Sequence, residues 1–283
     1  MARVETGTEM VVAEIRHGVG IVTLNRPERR NALHVEMYEH VPVVLERFEC
    51  DPEVGCILLT AAGSAFCAGG DVRDGVARRR AAGEAPAAPS IEDSAVELAN
   101  QARMVVMLHE ASKVTITAMN GPAAGAGIGI ALATDLRIAA ASARFLPSWS
   151  RLGFSGDFGG PWFLTRLLGP SRALQLLVDD TEVDATTALE LGLVNRVVPD
   201  HELAAAAFEW ARRIASGPRA AWTLLKENIR DALALDLRDA LPRESERMVR
   251  SGLTDDHREA VRRWLRDAAD PEPEPATEQA QRR

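Results

Sequence analysis

The longest uncharged stretch of the chain, residues 114–134, limits most strongly what the chain can fold into. It has the length of a membrane-spanning helix. However, Asn120-Gly121-Pro122 interrupts it in the middle, and the residues before this break are β-branched, which favours a strand. The stretch is therefore predicted to form a strand, a turn and a helix of small residues within a core, and not a membrane span.

Strand and helix patterns alternate along the first half of the chain. Short apolar or alternating runs bounded by Gly, Pro or Asp indicate strands, and apolar residues three or four positions apart indicate helices. The predicted order is strands at 10–16 and 20–25, a helix at 35–49, a strand at 54–60, a helix at 92–110, a strand at 114–118, a helix from about Ala126 and a strand at 136–140. This alternation predicts an α/β fold in which helices cover the faces of a sheet.

After Gly160 the pattern is helical almost throughout, with segments predicted at 161–168, 171–178, 185–191, 201–215, 219–232, 236–250 and 254–267. We therefore expect a core over residues 1–200 and a helical region over residues 201–268. Residues 269–283, rich in Pro and Glu, are expected to be a disordered tail. Within the core, residues 75–97 are expected to form a variable, exposed insertion.

Composition excludes several classes of function. The 33 Lys and Arg residues and 41 Asp and Glu residues give a net charge of −8, so the chain does not attract nucleic acid or anionic membranes. Its three cysteines lack the pairing of a disulfide scaffold and the spacing of a structural metal site. The N-terminus has no apolar segment typical of a signal peptide, so a cytoplasmic, metal-free protein is expected.

Two glycine-rich segments are candidates for chemistry. Residues 65–71 follow a predicted buried strand, where α/β proteins place ligands, and adjacent glycines there expose backbone N–H groups. Residues 120–129 contain the break and the predicted N-terminus of a helix, whose unpaired N–H groups suit a developing oxyanion. Each has a plain structural alternative, a tight turn for the first segment and a closely packed helix for the second. The second segment matches neither a dinucleotide fingerprint nor a P-loop.

Together these segments resemble the enoyl-CoA hydratase/isomerase, or crotonase, family. The resemblance extends over roughly residues 10–268. The matching motifs are Leu24-Asn25-Arg26-Pro27 with Asn31-Ala32-Leu33, Phe66-Cys67-Ala68-Gly69-Gly70-Asp71, Asn120-Gly121, Gly125-Ala126-Gly127 with Asp135, Gly169-Pro170-Ser171-Arg172-Ala173, and Ala188-Leu189-Glu190-Leu191-Gly192-Leu193-Val194.

The resemblance implies an α/β spiral of strand–strand–helix units with a helical C-terminal trimerisation region, in a homotrimer or a dimer of trimers. It implies an acyl-CoA thioester substrate and no separate cofactor, since coenzyme A enters as part of the substrate. The thioester oxygen would be held by the N–H groups of Ala68 and Ala126, which stabilise a developing enolate. Residues implied in substrate or coenzyme A binding are Arg30, Ala32, Gly69, Gly70, Asp71, Val72 and Gly125.

The departures from the family pattern bear on the reaction. Members that hydrate a double bond use two glutamates, and Gly129 and Trp149 stand at these two positions in this chain. Because neither residue accepts a proton, the acid and base of water addition are absent from their usual places. The resemblance therefore favours an isomerase over a hydratase.

Asp157, eight residues after Trp149, is the candidate acid–base residue. The stretch around it resembles ring-enoyl-CoA and Δ3,Δ2-enoyl-CoA isomerases, in which an acid here shuttles a proton, and 4-chlorobenzoyl-CoA dehalogenases, in which an Asp is the nucleophile. The plain alternative is that Asp157 caps the helix predicted from near Phe158. Trp149 either forms a wall of the acyl pocket or donates its indole N–H to Asp157. His109 is predicted to lie on a helix surface.

The sequence thus predicts an enzyme that moves the double bond of an enoyl-CoA, with Asp157 as base. The alternatives are a hydratase with non-standard water activation, a dehalogenase-like hydrolytic enzyme with Asp157 as nucleophile, and a non-catalytic protein that binds acyl-CoA. Arg26, Arg29 and Arg30 are either phosphate ligands or a solvated charge run.

Overall fold

The computed structural model describes residues 2–71 and 90–269. Val72, residues 75–89 of the expected insertion and residues 270–283 of the expected tail lie outside these ranges. The chain forms two compact units, divided between Ser216 and Gly217.

Two sheets form the framework of the first unit. The larger sheet has seven strands in the order β1-β2-β3-β4-β5-β7-β10, and β3, β4, β5, β7 and β10 run parallel. Its strands are β1 (Ala2–Val4), β2 (Val11–Arg16), β3 (Val19–Leu24), β4 (Cys56–Ala61), β5 (Val114–Met119), β7 (Leu136–Ala140) and β10 (Arg196–Val198). The smaller sheet contains β6 (Ala123–Ala124), β8 (Arg144–Leu146) and β9 (Val183–Asp184).

Eight helices of the first unit surround these sheets within the described ranges: α1 (Val35–Cys50), α2 (Ile91–Gln101), α3 (Arg103–Glu110), α4 (Ala126–Leu132), α5 (Gly160–Leu168), α6 (Pro170–Val178), α7 (Ala185–Glu190) and α8 (Leu203–Ala215). The second unit, as far as it is described, consists of α9 (Arg219–Ala234), α10 (Leu237–Gly252) and α11 (Asp255–Ala269).

Alternate residues of the parallel strands face opposite sides of the large sheet, which produces two apolar clusters. On one face, residues from four strands pack against α8. They are Val19, Ile21, Cys56, Leu58, Ile116, Ala118, Ile138 and Ala140, with Leu203, Ala207, Ala211 and Ala215 from the helix. Because α8 covers the sheet, the first unit extends to Ser216 and not only to residue 200.

The structure confirms the predicted α/β fold and corrects details of it. In the stretch at 114–134 the predicted strand and helix are present as β5 and α4, and the short strand β6 lies within the predicted turn. None of the helices in the described part of the chain has the length and apolar character of a membrane span. The helix predicted at 92–110 is two helices, α2 and α3, that meet at Ala102. Strands β1, β9 and β10 were not predicted because runs of two or three residues carry too little periodicity to recognise.

Three loops meet at one edge of the sheet, because β3, β4 and β5 are parallel neighbours and end on the same side. The buried side chain of Asn31 ties the first two loops together. Its Nδ2 donates to the carbonyl oxygens of Ala62 and Ala65, both at 2.8 Å, and its Oδ1 accepts from the N–H of Arg26 at 2.8 Å. A side-chain amide is the group that can satisfy donors and acceptors of two loops at once.

We expect Asn31→Ala to lower the free energy of unfolding by about 3 kcal/mol, because it leaves buried backbone groups of both loops without partners. Asn25→Ala is the matched control, since Asn25 makes one exposed side-chain bond, to the carbonyl of Glu9. Urea unfolding monitored by circular dichroism measures both variants. Equal losses of unfolding free energy in the two variants would contradict a special role for Asn31.

Candidate active site

The loop after β4 and the segment after β5 lie in direct backbone contact. The N–H of Ala124 donates to the carbonyl of Cys67 at 2.8 Å, and the N–H of Phe66 donates to the carbonyl of Pro122 at 3.0 Å. A side chain at Gly127 would place its Cβ 2.4 Å from the Cys67 carbonyl oxygen. The small residues of α4 therefore permit an approach that any larger residue would prevent.

A cleft of about 420 Å³ opens beside this contact. It is lined by Glu28, Arg29, Arg30, Ala32, Ala68, Gly70 and Asp71, which include most of the residues implied in coenzyme A binding. Arg29 and Arg30 are exposed there, whereas Arg26 is buried and its Nη1 lies 2.8 Å from Oδ2 of Asp71. Arg26 and Asp71 therefore form an internal ion pair, and Arg26 is not a solvated charge.

The N–H of Ala68 is not free to hold a thioester oxygen, which corrects the predicted donor pair. It donates to the carbonyl of Arg30 at 3.0 Å, and the next N–H, that of Gly69, faces the buried Cys67 sulfur. The N–H of Gly70 has no acceptor among the described residues. The exposed donor of this loop is therefore at Gly70, two residues beyond the predicted position.

Ala126, the second predicted donor, begins helix α4. Its N–H has no acceptor among the described residues, as is usual for the first residue of a helix. A Cβ added to Gly69 would lie 3.4 Å from this nitrogen, so the glycine turn and the helix start are adjacent. Gly125 precedes the helix with a φ of 48° and donates its own N–H to the carbonyl of Leu146 at 3.1 Å.

Trp149 and Asp157 are joined by a hydrogen bond. The indole Nε1 donates to Oδ1 of Asp157 at 2.8 Å, and the ring is buried against Gly160, where an added Cβ would come within 2.2 Å of it. Trp149 thus packs as a wall and also donates to the carboxylate, so both alternatives considered from the sequence apply. Oδ2 of Asp157 has no hydrogen-bond partner among the described residues.

Burial raises the pKa of Asp157 above its ordinary value of 3.8, and the hydrogen bond from Trp149 opposes this by favouring the charged form. The carboxyl group lies half-buried, and among the described residues Trp149 is the one side chain that donates a hydrogen bond to it. A carboxylate with one oxygen held and the other open is suited to accept a proton.

Asp157 does not cap a helix with its side chain, which excludes the plain alternative for it. Helix α5 begins at Gly160 with Gly159 at the cap position, and no side-chain hydrogen bond caps it. Between Asp157 and the helix, Phe158 takes a left-handed φ of 48°. Its carbonyl oxygen lies 2.1 Å from where a Cβ on Gly129 would be, so the space of a side chain at Gly129 is filled by backbone.

His109 is more enclosed than the surface position predicted for it. Its ring packs edge-on against Trp162 and Phe163, with centroids 5.1 and 5.5 Å away.

Reasoning from the sequence did not find Gly70 as the residue with the unpaired N–H, because which N–H remains unpaired depends on hydrogen bonds between loops far apart in the chain. No motif could have shown that the Ala68 N–H is already used by Arg30.

Comparison with known proteins gives a consistent family. A family model described as enoyl-CoA hydratase/isomerase matches residues 14–268. Over 257 residues the chain is 37% identical to 1,2-epoxyphenylacetyl-CoA isomerase of Escherichia coli (strain K12), a match that covers 91% of this chain and 95% of that protein. It is 30% identical to 4-chlorobenzoyl coenzyme A dehalogenase-2 of an Arthrobacter species, with 85% of each chain covered.

The structure is similar to solved structures over nearly the whole chain. A crystal structure of an enoyl-CoA hydratase from Polaromonas sp. JS666 superposes with a TM-score of 0.83 at 32% sequence identity, covering 91% of this chain and 97% of that one. This similarity confirms the fold that the sequence motifs implied.

We expect Asp157→Asn to raise the melting temperature at pH 8. The folded-state pKa of Asp157 is raised, so the stability that its protonated form contributes is fully present below the unfolded-state pKa and is lost as the pH rises through the folded-state value. The neutral Asn does not undergo this loss of stability. The difference in melting temperature between variant and parent is therefore largest above the folded-state pKa and narrows as the pH falls. Differential scanning fluorimetry from pH 8 down to below pH 3.8, the ordinary pKa of the group, measures the difference in melting temperature. Asp179→Asn, at an exposed position, is the control, and a difference that does not narrow as the pH falls would contradict the expectation.

We expect Gly129→Ala to destabilise the fold by about 1–3 kcal/mol, because the new methyl group meets the Phe158 backbone, which cannot rotate away. Gly70→Ala is the control for stability, since nothing lies within 4 Å of its added Cβ. Both are compared by urea unfolding. A Gly129→Ala variant as stable as the parent would show that the Phe158 backbone does not fill the space beside Gly129.

Proposed function

The chain belongs to the enoyl-CoA hydratase/isomerase family of enzymes, and within it we propose that this protein isomerises the double bond of an enoyl-CoA with Asp157 as its base. The observation that supports this best is the Asp157 carboxylate, with one oxygen held by Trp149 and a raised pKa. Isomerisation needs a single base that takes and returns one proton, and one carboxylate suffices for it.

The proposed reaction moves one proton between two carbons. Asp157 removes a proton from the carbon next to the thioester of a 3-enoyl-CoA, and the electrons of that C–H bond delocalise onto the thioester oxygen. The resulting dienolate is stabilised by the N–H groups of Gly70 and Ala126, each worth about 3–4 kcal/mol if oriented towards the charged oxygen. The protonated Asp157 then returns its proton to the γ carbon as the carbonyl re-forms, which gives the 2-enoyl-CoA.

The remaining binding assignments are part of the same proposal. Arg29 and Arg30, exposed on the cleft, suit the phosphates of coenzyme A, because guanidinium groups bind phosphate oxygens in pairs. Ala32, Gly69 and Gly125 shape the backbone around the thioester. Asp71 holds the loop through its ion pair with Arg26 and does not itself act as an acid. The homotrimer or dimer of trimers and the cytoplasmic location stay predictions.

Hydration is less well supported. Trp149 occupies the position of one expected glutamate, and at the other position the Phe158 backbone leaves no space for a side chain on Gly129. A hydratase here would require a different acid to activate water.

A dehalogenase-like reaction is the second candidate. The open oxygen of Asp157 suits a nucleophile as well as a base, and a relative 30% identical to the chain is named a 4-chlorobenzoyl coenzyme A dehalogenase. In that reaction Asp157 would displace chloride from an activated ring carbon, and water would then hydrolyse the aryl ester. A non-catalytic acyl-CoA-binding protein is the outcome if neither reaction occurs.

The test is incubation of the purified protein with 2-enoyl- and 3-enoyl-CoA esters in D₂O, followed by mass spectrometry and ultraviolet absorption. We expect the double bond to migrate with no water added. Deuterium enters the product only in those turnovers in which the protonated Asp157 exchanges with D₂O before it returns the proton. Asp157→Asn should lower the rate by about 10²–10⁴-fold while coenzyme A ester binding persists, because the base is lost and the cleft is unchanged. Asp179→Asn, which removes an exposed carboxylate in the same way, is the matched control.

Other products would change the assignment. Addition of one water would support the hydratase, and release of chloride from 4-chlorobenzoyl-CoA would support Asp157 as nucleophile. Full isomerase activity in Asp157→Asn would show that the base lies elsewhere.

A further inference from the structure

Asp180 lies in the turn after helix α6 and contacts the segment that holds Trp149. Its Oδ1 accepts the backbone N–H of Ser148 at 2.7 Å, and its Oδ2 lies 2.6 Å from Nε of Arg151. The carboxylate is largely buried, with a side-chain exposure of 14%. One side chain thus holds the residues on both sides of Trp149.

The held segment has a backbone conformation that needs support. Ser148 has a φ of 58°, a left-handed conformation that non-glycine residues rarely adopt, and it directly precedes Trp149. Asp180 itself has a φ of 50°. Ser150 adds a second anchor, since its hydroxyl donates to the carbonyl of Leu177 at 2.7 Å. The turn after α6 therefore determines where residues 148–151 lie.

The position of this segment sets the direction of the Trp149 indole. The ring has little freedom once the backbone is placed, because it is buried against Gly160, and its N–H reaches Oδ1 of Asp157 at 2.8 Å. A shift of the segment by about 1 Å would lengthen this hydrogen bond beyond its effective range.

We propose that Asp180 is a positioning residue, which fixes residues 148–151 so that Trp149 holds one oxygen of Asp157 and leaves the other open for proton transfer. This inference rests on the proposed function for its kinetic effect. Its structural half, the dependence of the Trp149 to Asp157 bond on Asp180, does not require turnover.

The first measurement needs no substrate. The chain has five tryptophans, so labelling with 5-fluorotryptophan gives five fluorine NMR signals, and Trp149→Phe identifies the signal of Trp149. This signal should titrate as Asp157 ionises. In Asp180→Ala we expect the midpoint to move to higher pH, because losing the Trp149 hydrogen bond removes the influence that lowers the pKa of Asp157.

Two further variants separate positioning from general damage. Asp180→Asn keeps an acceptor for the Ser148 N–H and should restore most of the parent behaviour. Asp179→Ala removes the neighbouring carboxylate, which is exposed, and should change neither the signal nor activity. Should Asp180→Ala not fold, Asp180→Glu keeps the charge but displaces it by one methylene, and it should move the Trp149 signal. An unchanged signal and midpoint in the folded Asp180 variants would overturn the proposal.

The second measurement is a double-mutant cycle on isomerase activity. Asp180→Ala should lower kcat about tenfold with little change in KM, since it alters the base and not the cleft. In a Trp149→Phe background the same substitution should cost almost nothing further, because its effect acts through Trp149. If the two substitutions lower kcat independently, so that their fold losses multiply in the double variant, the proposal is overturned. If the parent shows no isomerase activity while the fluorine signal responds to Asp180, the proposed function fails and the positioning role stands.

Discussion

The close approach of two backbone segments underlies the candidate site. The loop after β4 and the start of α4 touch at Cys67 and Gly127, at a separation that excludes any side chain on the helix. This contact places the start of α4 beside Gly69, so the unpaired N–H of Ala126 lies next to the turn that carries the unpaired N–H of Gly70. In the isomerisation proposed above, these two donors would stabilise the developing oxyanion, and the glycines permit the packing that this arrangement needs.

Two opposing effects act on the charge of the Asp157 carboxylate. Burial penalises its charge, and no cation of the described residues offsets this, so a single indole N–H supplies the compensation. A stronger set of partners would stabilise the charged form and make the carboxylate a poorer base. The single hydrogen bond from Trp149 therefore leaves the Asp157 carboxylate costly to ionise but able to accept a proton. Such a group lowers the stability of the fold while it suits proton transfer, a conflict that is common at active sites.

The backbone path around Phe158 is a second constraint on the site. At Gly129, on helix α4, the space for a side chain is taken by the Phe158 backbone, and this is possible because Phe158 adopts a left-handed conformation. Phe158 directly follows Asp157, whose Oδ1 accepts the indole N–H of Trp149. The backbone at Phe158 thus fills the space beside Gly129 and directly adjoins the residue that carries the candidate carboxylate.

The sequence by itself determined the alternation of strands and helices, the break within residues 114–134 and the family, and it singled out Asp157 as the candidate base. These depend on local patterns and short motifs, which are readable along the chain. Only the tertiary structure decided which N–H groups are unpaired, because the N–H of Ala68 is used by Arg30 and that of Gly70 is not. It also decided that α8 belongs to the core and that Asp180 supports the Trp149 segment. Hydrogen bonds and packing between distant residues have no period in the sequence, so no local pattern could reveal them.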